Sequence, residues 1–388
     1  MKKSNRRKIG VVCMETIAGL FLIALFLSGP AAISPASAAD IWYVSLDGSD
    51  TNGGTGWDDA FATIQRGIDA ASDGDTVVVA AGTYTGAGNK DLVVGAKGIE
   101  VRSVKGPESC IIDLQNDGKG FLLEFSPDTS VVDGFTIING RAASSTDYGV
   151  GIDCWFCATT IRNCIIRNNA GVQWGAGIDI RGATAPPVIA NCIFAGNQTT
   201  QGGSAVSVYQ ASARFVHCTF YGNSSFQSVA AVTPTTSFTN CIFWDNTPAT
   251  LAGAPSVTYS DVEGGYTGTG NIDLDPECVD PDNGDLRLSS GSDCIDAGYD
   301  AATGIPERDL DGKPRFIDGD GDLTATADMG AYEYGDICEC DFLADLDTDG
   351  ADLADYITDP GGYDLSLLAG DYGRSDCPTY ATPPEVQR

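Results

Sequence analysis

Four stretches of the chain repeat one pattern around a cysteine: TIRNCIIRNN (160–169), VIANCIFAGN (188–197), FVHCTFYGN (215–223) and SFTNCIFWDN (237–246). The cysteines are Cys164, Cys192, Cys218 and Cys241, and they are 28, 26 and 23 residues apart. Repeats of about 20–50 residues indicate a solenoid or an array. In each copy an apolar residue stands three positions before the cysteine and another two positions after it. These positions differ in parity, so one flat strand cannot turn all of them inward.

The position just before each cysteine predicts how the chain resolves this conflict. It is Asn163, Asn191, His217 and Asn240 in the four copies. Asparagine adopts the left-handed backbone conformation more readily than most residues, so we expect a bend at this column. VVDGFTIING (131–140) is an earlier copy, with Gly134 in the cysteine position.

A second phrase recurs between these copies: GIDCW from 151, GIDIR from 177, AVSVY from 205 and VAAVT from 229. Its alternation is typical of half-buried strands. The expected inward pairs are Ile152/Cys154, Ile178/Ile180, Val206/Val208 and Ala230/Val232. Short strands joined by Gly, Asn and Ser turns, with no helical pattern between them, favour a β-solenoid.

These repeats resemble those of right-handed parallel β-helix proteins, the architecture shared with pectate lyases, over roughly residues 41–335. Residues 43–84 resemble the N-terminal part of many secreted bacterial proteins of this kind, and FATIQRGIDAA (61–71) is expected to form an amphipathic capping helix. Residues 275–298 and 309–334 resemble their closing segment. The resemblance implies an all-β fold over 39–335, with an N-terminal cap at about 41–100 and a closing segment at about 270–335.

The N-terminus predicts export. MKKSNRRKIG is basic, AGLFLIALFL is a short apolar run, and Ala36-Ser37-Ala38 fits a cleavage site, so residues 1–38 are expected to be a signal peptide. No later segment is apolar enough to span a membrane. We therefore expect a secreted or cell-surface protein.

The charge bears on possible partners. The formal net charge is −31, and removing the +4 of the signal peptide leaves −35. A nucleic-acid partner is not expected at this charge. An acidic polymer would also be repelled unless bound cations reverse the local field.

The cysteines have two readings. The repeated column is expected to be a stack of buried free thiols, the alternative being a metal or redox ladder. Cys154 and Cys157 form C-x-x-C, for which a local disulfide or a free pair is expected rather than redox chemistry. Cys278 and Cys294 flank an expected hairpin and are a second candidate pair. His217, the single histidine, is expected to be a turn residue rather than a catalytic one.

Two aspartates in the second phrase are the main site candidates. Asp153 and Asp179 each lie between two inward residues, so both should face outward on adjacent coils. Two close carboxylates need a cation or a shared proton, and they suit Ca²⁺ binding or acid/base work on a glycosidic bond. Arg162 and Arg181 are candidate cationic partners. Trp155 and Tyr209 are candidate sugar-stacking residues. The alternative is a solvated face in which arginines neutralise the aspartates.

Two further segments predict calcium. FIDGDGDLTATAD carries Asp318, Asp320 and Asp322 at alternate positions, which fits either a calcium loop or a solvated turn. Residues 336–388 resemble the dockerin-like closing segments of secreted bacterial proteins. Their candidate calcium ligands are Asp341, Asp345, Asp347, Asp349 and Asp352. The loop departs from the pattern at Leu343 and Leu346, and one loop is visible where dockerins carry two, so a cohesin-like or other anchoring partner is only an open expectation. The tail 379–388 is expected to be disordered.

Three functions fit the sequence. The first is a non-catalytic exported protein that binds polysaccharide or cell-surface glycans, or acts in adhesion, through one coil face. The second is a polysaccharide lyase or glycoside hydrolase that uses the stacked carboxylates with Ca²⁺. The third is a structural stalk.

Overall fold

A computed structural model describes residues 39–335 except 143, 145–147, 172, 184 and 322–323. These residues belong to the unit Ala39–Arg388. Most of them wind into a parallel β-solenoid whose coils contribute strands to three sheets in turn, here named A, B and C. None of the described helices has the length and apolar character that a bilayer crossing requires.

Successive coils pair in parallel within each sheet. Sheet A contains Ile41–Val44, Thr76–Val79, Glu100–Ser103, Val131–Asp133, Thr160–Arg162, Val188–Ala190, Arg214–Val216, Ser237–Thr239 and Ser256–Thr258. Sheet B contains Gly82–Tyr84, Cys110–Asp113, Thr136–Ile138, Ile165–Arg167, Ile193–Ala195, Thr219–Tyr221, Ile242–Trp244 and Asp261–Val262. Sheet C contains Leu92–Val93, Phe121–Glu124, Ile152–Trp155, Ile178–Arg181, Val206–Tyr209, Ala230–Ala231 and Leu251–Ala252. Ala170–Gly171 pairs with Gln198–Thr199 in a small parallel sheet, and Cys278–Asp280 with Asp285–Leu288 in an antiparallel hairpin.

The bend between sheets A and B lies where the repeat predicts it. Asn163, Asn191, His217 and Asn240 have φ values of 53°, 50°, 50° and 56°, which is the left-handed region. The bend turns the apolar residues on both sides into one core, so the parity conflict disappears. The four cysteines next to it are buried and free, as expected.

Side chains stack along the solenoid axis in register. Phe194, Phe220 and Phe243 form one column, with ring centroids 5.1 and 4.4 Å apart. Phe215 and Phe238 form a second, at 4.8 Å. Offset stacks of this kind add to the free energy gained by burial alone.

A buried asparagine ladder supports the next corner of each coil. Asn169, Asn197, Asn223 and Asn246 follow the repeated cysteines by five residues, a regularity that the sequence reasoning missed. The side-chain amide of each of the first three donates to the side-chain oxygen of the next asparagine over 3.0 to 3.1 Å. Asn197 also donates to the Ile166 carbonyl at 2.8 Å. The ladder thus satisfies polar backbone that the solenoid buries.

The N-terminal end is closed by helix α1 (Ile64–Ala70), as expected. The Thr63 side chain caps its first turn, and Ile64 and Ile68 are buried against the first strands. The rest of the expected cap, about 41–100, already consists of coils, because Ile41–Val44 pairs in parallel with Thr76–Val79.

The closing segment lies along the flank of the solenoid as well as near its end. Tyr266 packs onto the last coil of the core. Leu286, Leu310 and Tyr332 then pack on Ile193, and Leu288 and Met329 on Ile242, on the outer face of sheet B. Apolar side chains on both faces of sheet B explain why this flank is covered.

The left-handed bend residues also anchor this segment. Asn240 donates to the Tyr299 carbonyl and accepts from the Tyr299 amide. The buried Arg315 donates to Asn191 Oδ1 at 2.5 Å and pairs with Glu333 at 2.6 Å. His217 is buried in the same column, and burial, with Arg315 nearby, lowers its pKa well below the usual value. Its place fits the expected turn role.

Cys278 and Cys294, the second candidate pair, do not form a disulfide, because both thiols are free. That candidate pairing is therefore wrong. Cys278 packs beside Tyr332 and Ile193, whereas Cys294 packs with Ile242 and Leu288. The two thiols therefore belong to separate apolar clusters.

Candidate functional site

Asp153 and Asp179 lie side by side on the outer face of sheet C. They are register partners on adjacent strands, which are about 4.8 Å apart in a sheet. Their neighbours Cys154 and Ile180 are buried in the core, so alternation sends both carboxylates outward as expected. Ser207 continues the column on the next coil.

One guanidinium bridges the two carboxylates. Arg181 Nη2 donates to Asp153 Oδ1 at 2.8 Å, and Arg181 Nε lies 2.5 Å from Asp179 Oδ2. Lys119, from the preceding coil, donates to Asp153 Oδ2 at 2.9 Å. The Arg181 guanidinium also stacks on the Tyr148 ring, 4.4 Å from its centroid. Two cations and two carboxylates therefore meet in one cluster.

Asp179 is fully buried although it faces outward. The preceding loop passes over it at Gly175 (φ 69°), where a Cβ would lie 2.7 Å from the Asp179 Cβ. Gly149 takes the same position over Asp153, with a Cβ that would lie 2.9 Å from the Asp153 Cβ. Glycine is required at both places because its neighbours leave no room for a side chain.

The buried carboxylate has unusual electrostatics. Both oxygens of Asp179 are inaccessible, and Oδ2 lies 2.5 Å from Arg181 Nε. Burial raises the pKa of Asp179 to about 6, although Ser207 and Arg181 act to lower it. Burial behind Arg181 thus holds the pKa of Asp179 above its ordinary range.

A ledge of exposed aromatic rings adjoins this cluster. Phe125, Trp155 and Phe156 are 54%, 40% and 42% exposed, and their ring centroids lie 5.2 to 5.6 Å apart. Trp155 is the register partner of Arg181, and Phe156 lies over Gly182. These three residues are called the aromatic ledge below.

The backbone that presents the ledge is constrained. Phe125 and Phe156 each follow a strand of sheet C and have φ values of 58° and 51°. Bulky residues seldom adopt this region. A disulfide between Cys154 and Cys157, one of the expected outcomes for that pair, closes the turn that carries Phe156.

A groove of about 660 Å³ runs along sheet C from this cluster. Tyr148, Trp174 and Arg181 line its charged end, and Tyr209, which is 62% exposed, stands on its wall. Asp179, Ser207 and Thr233 also line it, and the remaining lining residues are small or apolar: Val208, Ala231, Val232, Pro234, Ala252 and Gly253. The two expected stacking residues, Trp155 and Tyr209, therefore flank Arg181 on either side in register.

Arg162 does not belong to the site. It lies on sheet A, where it donates to Asp133 at 2.7 Å and to Glu100 at 3.2 Å. Nearness in sequence misleads here because residues 155 and 162 lie on different sheets of the solenoid.

Phe125 and Phe156 of the aromatic ledge were missed from sequence, as were four residues of the charge cluster and the groove: Lys119, Tyr148, Trp174 and Ser207. Ser207 was recoverable, because GVGID (149–153), GAGID (175–179) and GSAVS (203–207) align it with the aspartates. The Gly-x-Gly of GVGID and GAGID also indicates that the preceding loop passes close over the two carboxylates. The other three lie before strands or in loops, where no repeat indicates a contact.

The expected calcium loop meets another carboxylate. Asp318 and Asp320 each have an oxygen within 4.8 Å of Asp296 and of one another, a set whose oxygen ligands suit Ca²⁺. The Asp296 carboxylate also accepts backbone amides from residues 319, 320 and 326. The remaining predicted ligands lie outside the described residues: Asp322, Asp341, Asp345, Asp347, Asp349 and Asp352. Calcium at either place stays a prediction.

Comparison with known proteins concerns the fold. The model of the family described as "Right handed beta helix region" matches residues 150–263. No curated protein sequence matches the chain. Pectate lyase Pel9A is 15% identical, with a TM-score of 0.32, over 77% of this chain and 97% of its own.

Two other solved structures are similar at the same level. A rhamnogalacturonan lyase is 13% identical, with a TM-score of 0.31, over 53% of this chain and 74% of its own. A pectin methylesterase from Aspergillus niger is 14% identical, with a TM-score of 0.28, over 61% and 84%. No activity is carried over from these likenesses. The strand pairing and the family match together give the chain the fold of a right-handed parallel β-helix.

Proposed function

We propose that this protein binds a glycan chain along the sheet C groove and does not cleave it. The aromatic ledge carries the proposal. Sugar rings present apolar faces that pack on exposed aromatic rings, and their hydroxyls pair with charged groups such as those of Lys119, Asp153 and Arg181.

The free energy that the protein loses by exposing the aromatic ledge supports a binding role. Three large rings stay in water at one place, two of them on residues in a sparsely populated backbone region. Such strain costs of order 1–3 kcal/mol per residue and clusters at functional sites. A ligand that covers the rings would recover the free energy of apolar burial.

The charge cluster favours a neutral or weakly charged glycan. Lys119 and Arg181 are already engaged by Asp153 and Asp179. A strongly acidic chain would compete with these carboxylates for the same cations. Hydroxyl groups can add hydrogen bonds without displacing them.

The cluster is poorly placed for catalysis. A general acid or base must lie within hydrogen-bond reach of the group it protonates or deprotonates. Both Asp179 oxygens are inaccessible behind Arg181 and the loop at Gly175. Arg181 would have to leave both carboxylates before Asp179 met a substrate.

Affinity electrophoresis against a panel of neutral and acidic polysaccharides tests the proposal. We expect Trp155→Ala to weaken binding at least tenfold. Trp57→Ala is the matched control, since Trp57 is comparably exposed at 47% and lies in the N-terminal part of the chain. Absence of binding to every polysaccharide, or an equal loss in the Trp57 variant, would refute the proposal.

A lyase or hydrolase is the second candidate, and one observation favours it. A carboxyl group with a pKa of about 6 beside a second carboxylate resembles an acid/base pair. Chromatography of the same polysaccharides after incubation, with Ca²⁺ and with chelator, separates the two functions. New unsaturated or reducing ends that Asp179→Asn abolishes would replace the binding proposal with an enzymatic one.

We also propose export and surface attachment, which rest on the N-terminal sequence and the acidic C-terminal segment. Terminal sequencing of the protein made in a bacterial host should begin after Ala38. A retained Met1 in the cell-associated fraction would count against export.

A further inference from the structure

We propose a second binding site, for a hydroxylated monocarboxylate, in a groove on the outer face of sheet A around Arg214. The groove has a volume of about 570 Å³. One wall is sheet A, and the other is formed by residues 299 and 301–303 of the closing segment. It lies on a different sheet from the glycan groove, so this inference does not rest on the proposed function.

The charge balance around Arg214 is the first argument. Among the described residues, Arg214 is the one charged residue lining the groove, and no carboxylate lies within ion-pair distance of it. The chain has 53 acidic and 22 basic residues, and Arg162, Arg181 and Arg287 all contact carboxylates. Arg167 and Arg308 also lack an ion pair among the described residues, but neither lines this groove, so here the guanidinium fork of Arg214 is available for a ligand carboxylate.

Asp300, an acid close to the groove in sequence, does not form an ion pair with Arg214. Asp300 stands between two lining residues, but its carboxylate accepts the Ala327 amide at 3.0 Å. Arg214 itself is half-buried, because its strand neighbour Phe215 is held in the core and directs Arg214 outward. The register of the sheet therefore places Arg214 on the groove wall.

The rest of the groove specifies the ligand. Ser237 is the register partner of Arg214, and the hydroxyls of Thr239 and Thr258 lie 3.4 Å apart on the next outward column. Tyr259 and Tyr299 in the lining stack on each other at 4.8 Å, and Tyr299 is exposed and offers an aromatic surface. Hydroxyl donors with one cation and an aromatic surface suit a molecule that carries hydroxyls and one carboxylate.

One cation favours a monoanion over a phosphodiester chain or a sulfated chain, in which the negative charge is repeated. The net charge of −31 repels any anion at long range. At physiological salt the screening length is about 8 Å, so local charges dominate at the groove. A sugar acid could be free or could be part of a glycan, and both share this chemistry.

Calorimetric titration in 0.15 M NaCl tests the site with four probes: glucuronate, gluconate, a glucuronate-containing tetrasaccharide and neutral glucose. We expect the acids to bind at least tenfold more tightly than glucose. Arg214→Gln should weaken acid binding at least tenfold, and Arg214→Lys should weaken it less. Arg102→Gln is the control, because it removes one positive charge from the same face of sheet A and should change affinity less than twofold.

The outcomes divide clearly. A tetrasaccharide that binds tenfold more tightly than glucuronate identifies a glycan-borne acid, and equal affinities identify a free acid. Acid binding no tighter than glucose, full affinity in Arg214→Gln, or an equal loss in Arg102→Gln would overturn the proposal. If Arg214→Gln fails to fold, Thr239→Val should still weaken binding. Trp155→Ala should not change binding at this site. Failure of the Arg214 proposal can therefore be distinguished from failure of the proposed glycan groove.

Discussion

Replacing Asp179 by Asn should change how the stability of the protein depends on pH. Burial raises the pKa of Asp179 from its ordinary 3.8 to about 6, so the folded protein holds this proton more tightly than the unfolded chain. Stability therefore falls as pH rises from about 4 to about 6 and stays lowered above that. Raising the pKa by ~2 pH units corresponds to a loss of about 3 kcal/mol in the free energy of unfolding.

The difference between wild type and Asp179→Asn isolates this effect from the other carboxyl groups. Equilibrium urea unfolding, followed by the fluorescence of the five tryptophans, gives the free energy of unfolding at each pH. Relative to the variant, wild type should lose about 3 kcal/mol between pH 4 and pH 7. Asn keeps the shape of the side chain but does not titrate.

Ser207→Ala provides an internal check. The Ser207 side chain lowers the pKa of Asp179, so its removal should move the window to higher pH. A difference in unfolding free energy between wild type and Asp179→Asn that is flat from pH 4 to pH 7 would refute the reasoning. It would mean that Asp179 is not desolvated in the folded protein.

The four buried thiols of the repeated cysteine column should resist iodoacetamide in the native protein and react after denaturation. Rapid labelling of any of them in the native protein would contradict the packing. Asn197→Ala should lower the free energy of unfolding by about 2–5 kcal/mol, since it leaves the Ile166 carbonyl and the Asn169 amide without partners, whereas the exposed Gln198→Ala should change it by less than about 0.5 kcal/mol. If Asp296, Asp318 and Asp320 bind Ca²⁺, EDTA should lower the melting temperature of wild type and not of Asp296→Asn, and a site filled at 100 times its Kd corresponds to about 2.7 kcal/mol; an unmoved wild-type melting curve would exclude structural calcium there.

The outward pairing of Asp153 and Asp179 could be predicted because it depends on two local regularities. Alternation decides which face a side chain takes, and the repeat length decides which residue lies beside it on the next coil. The left-handed bend at Asn163 and its equivalents follows in the same way. Each of these needs only one coil and its neighbour.

The burial of Asp179 was beyond such reasoning. It depends on the path of the loop through Gly175 and on the contacts of Arg181 with both carboxylates. Arg162 shows the opposite error, since a candidate partner lies on another sheet and pairs with Asp133. Loop paths and long side-chain conformations are decided by packing against distant parts of the chain.

The sequence by itself determined the solenoid, its bend column, its buried thiols and the register that stacks the two aspartates. These features repeat from coil to coil, so every copy indicates the same arrangement. The pattern can therefore be recognised from the sequence alone. Only the tertiary structure decided that Asp179 is covered, that Phe125 joins Trp155 and Phe156 in a ledge, and that the closing segment lies beside Arg214. Each of these occurs once and brings together residues without a shared repeat, so no local pattern could encode it.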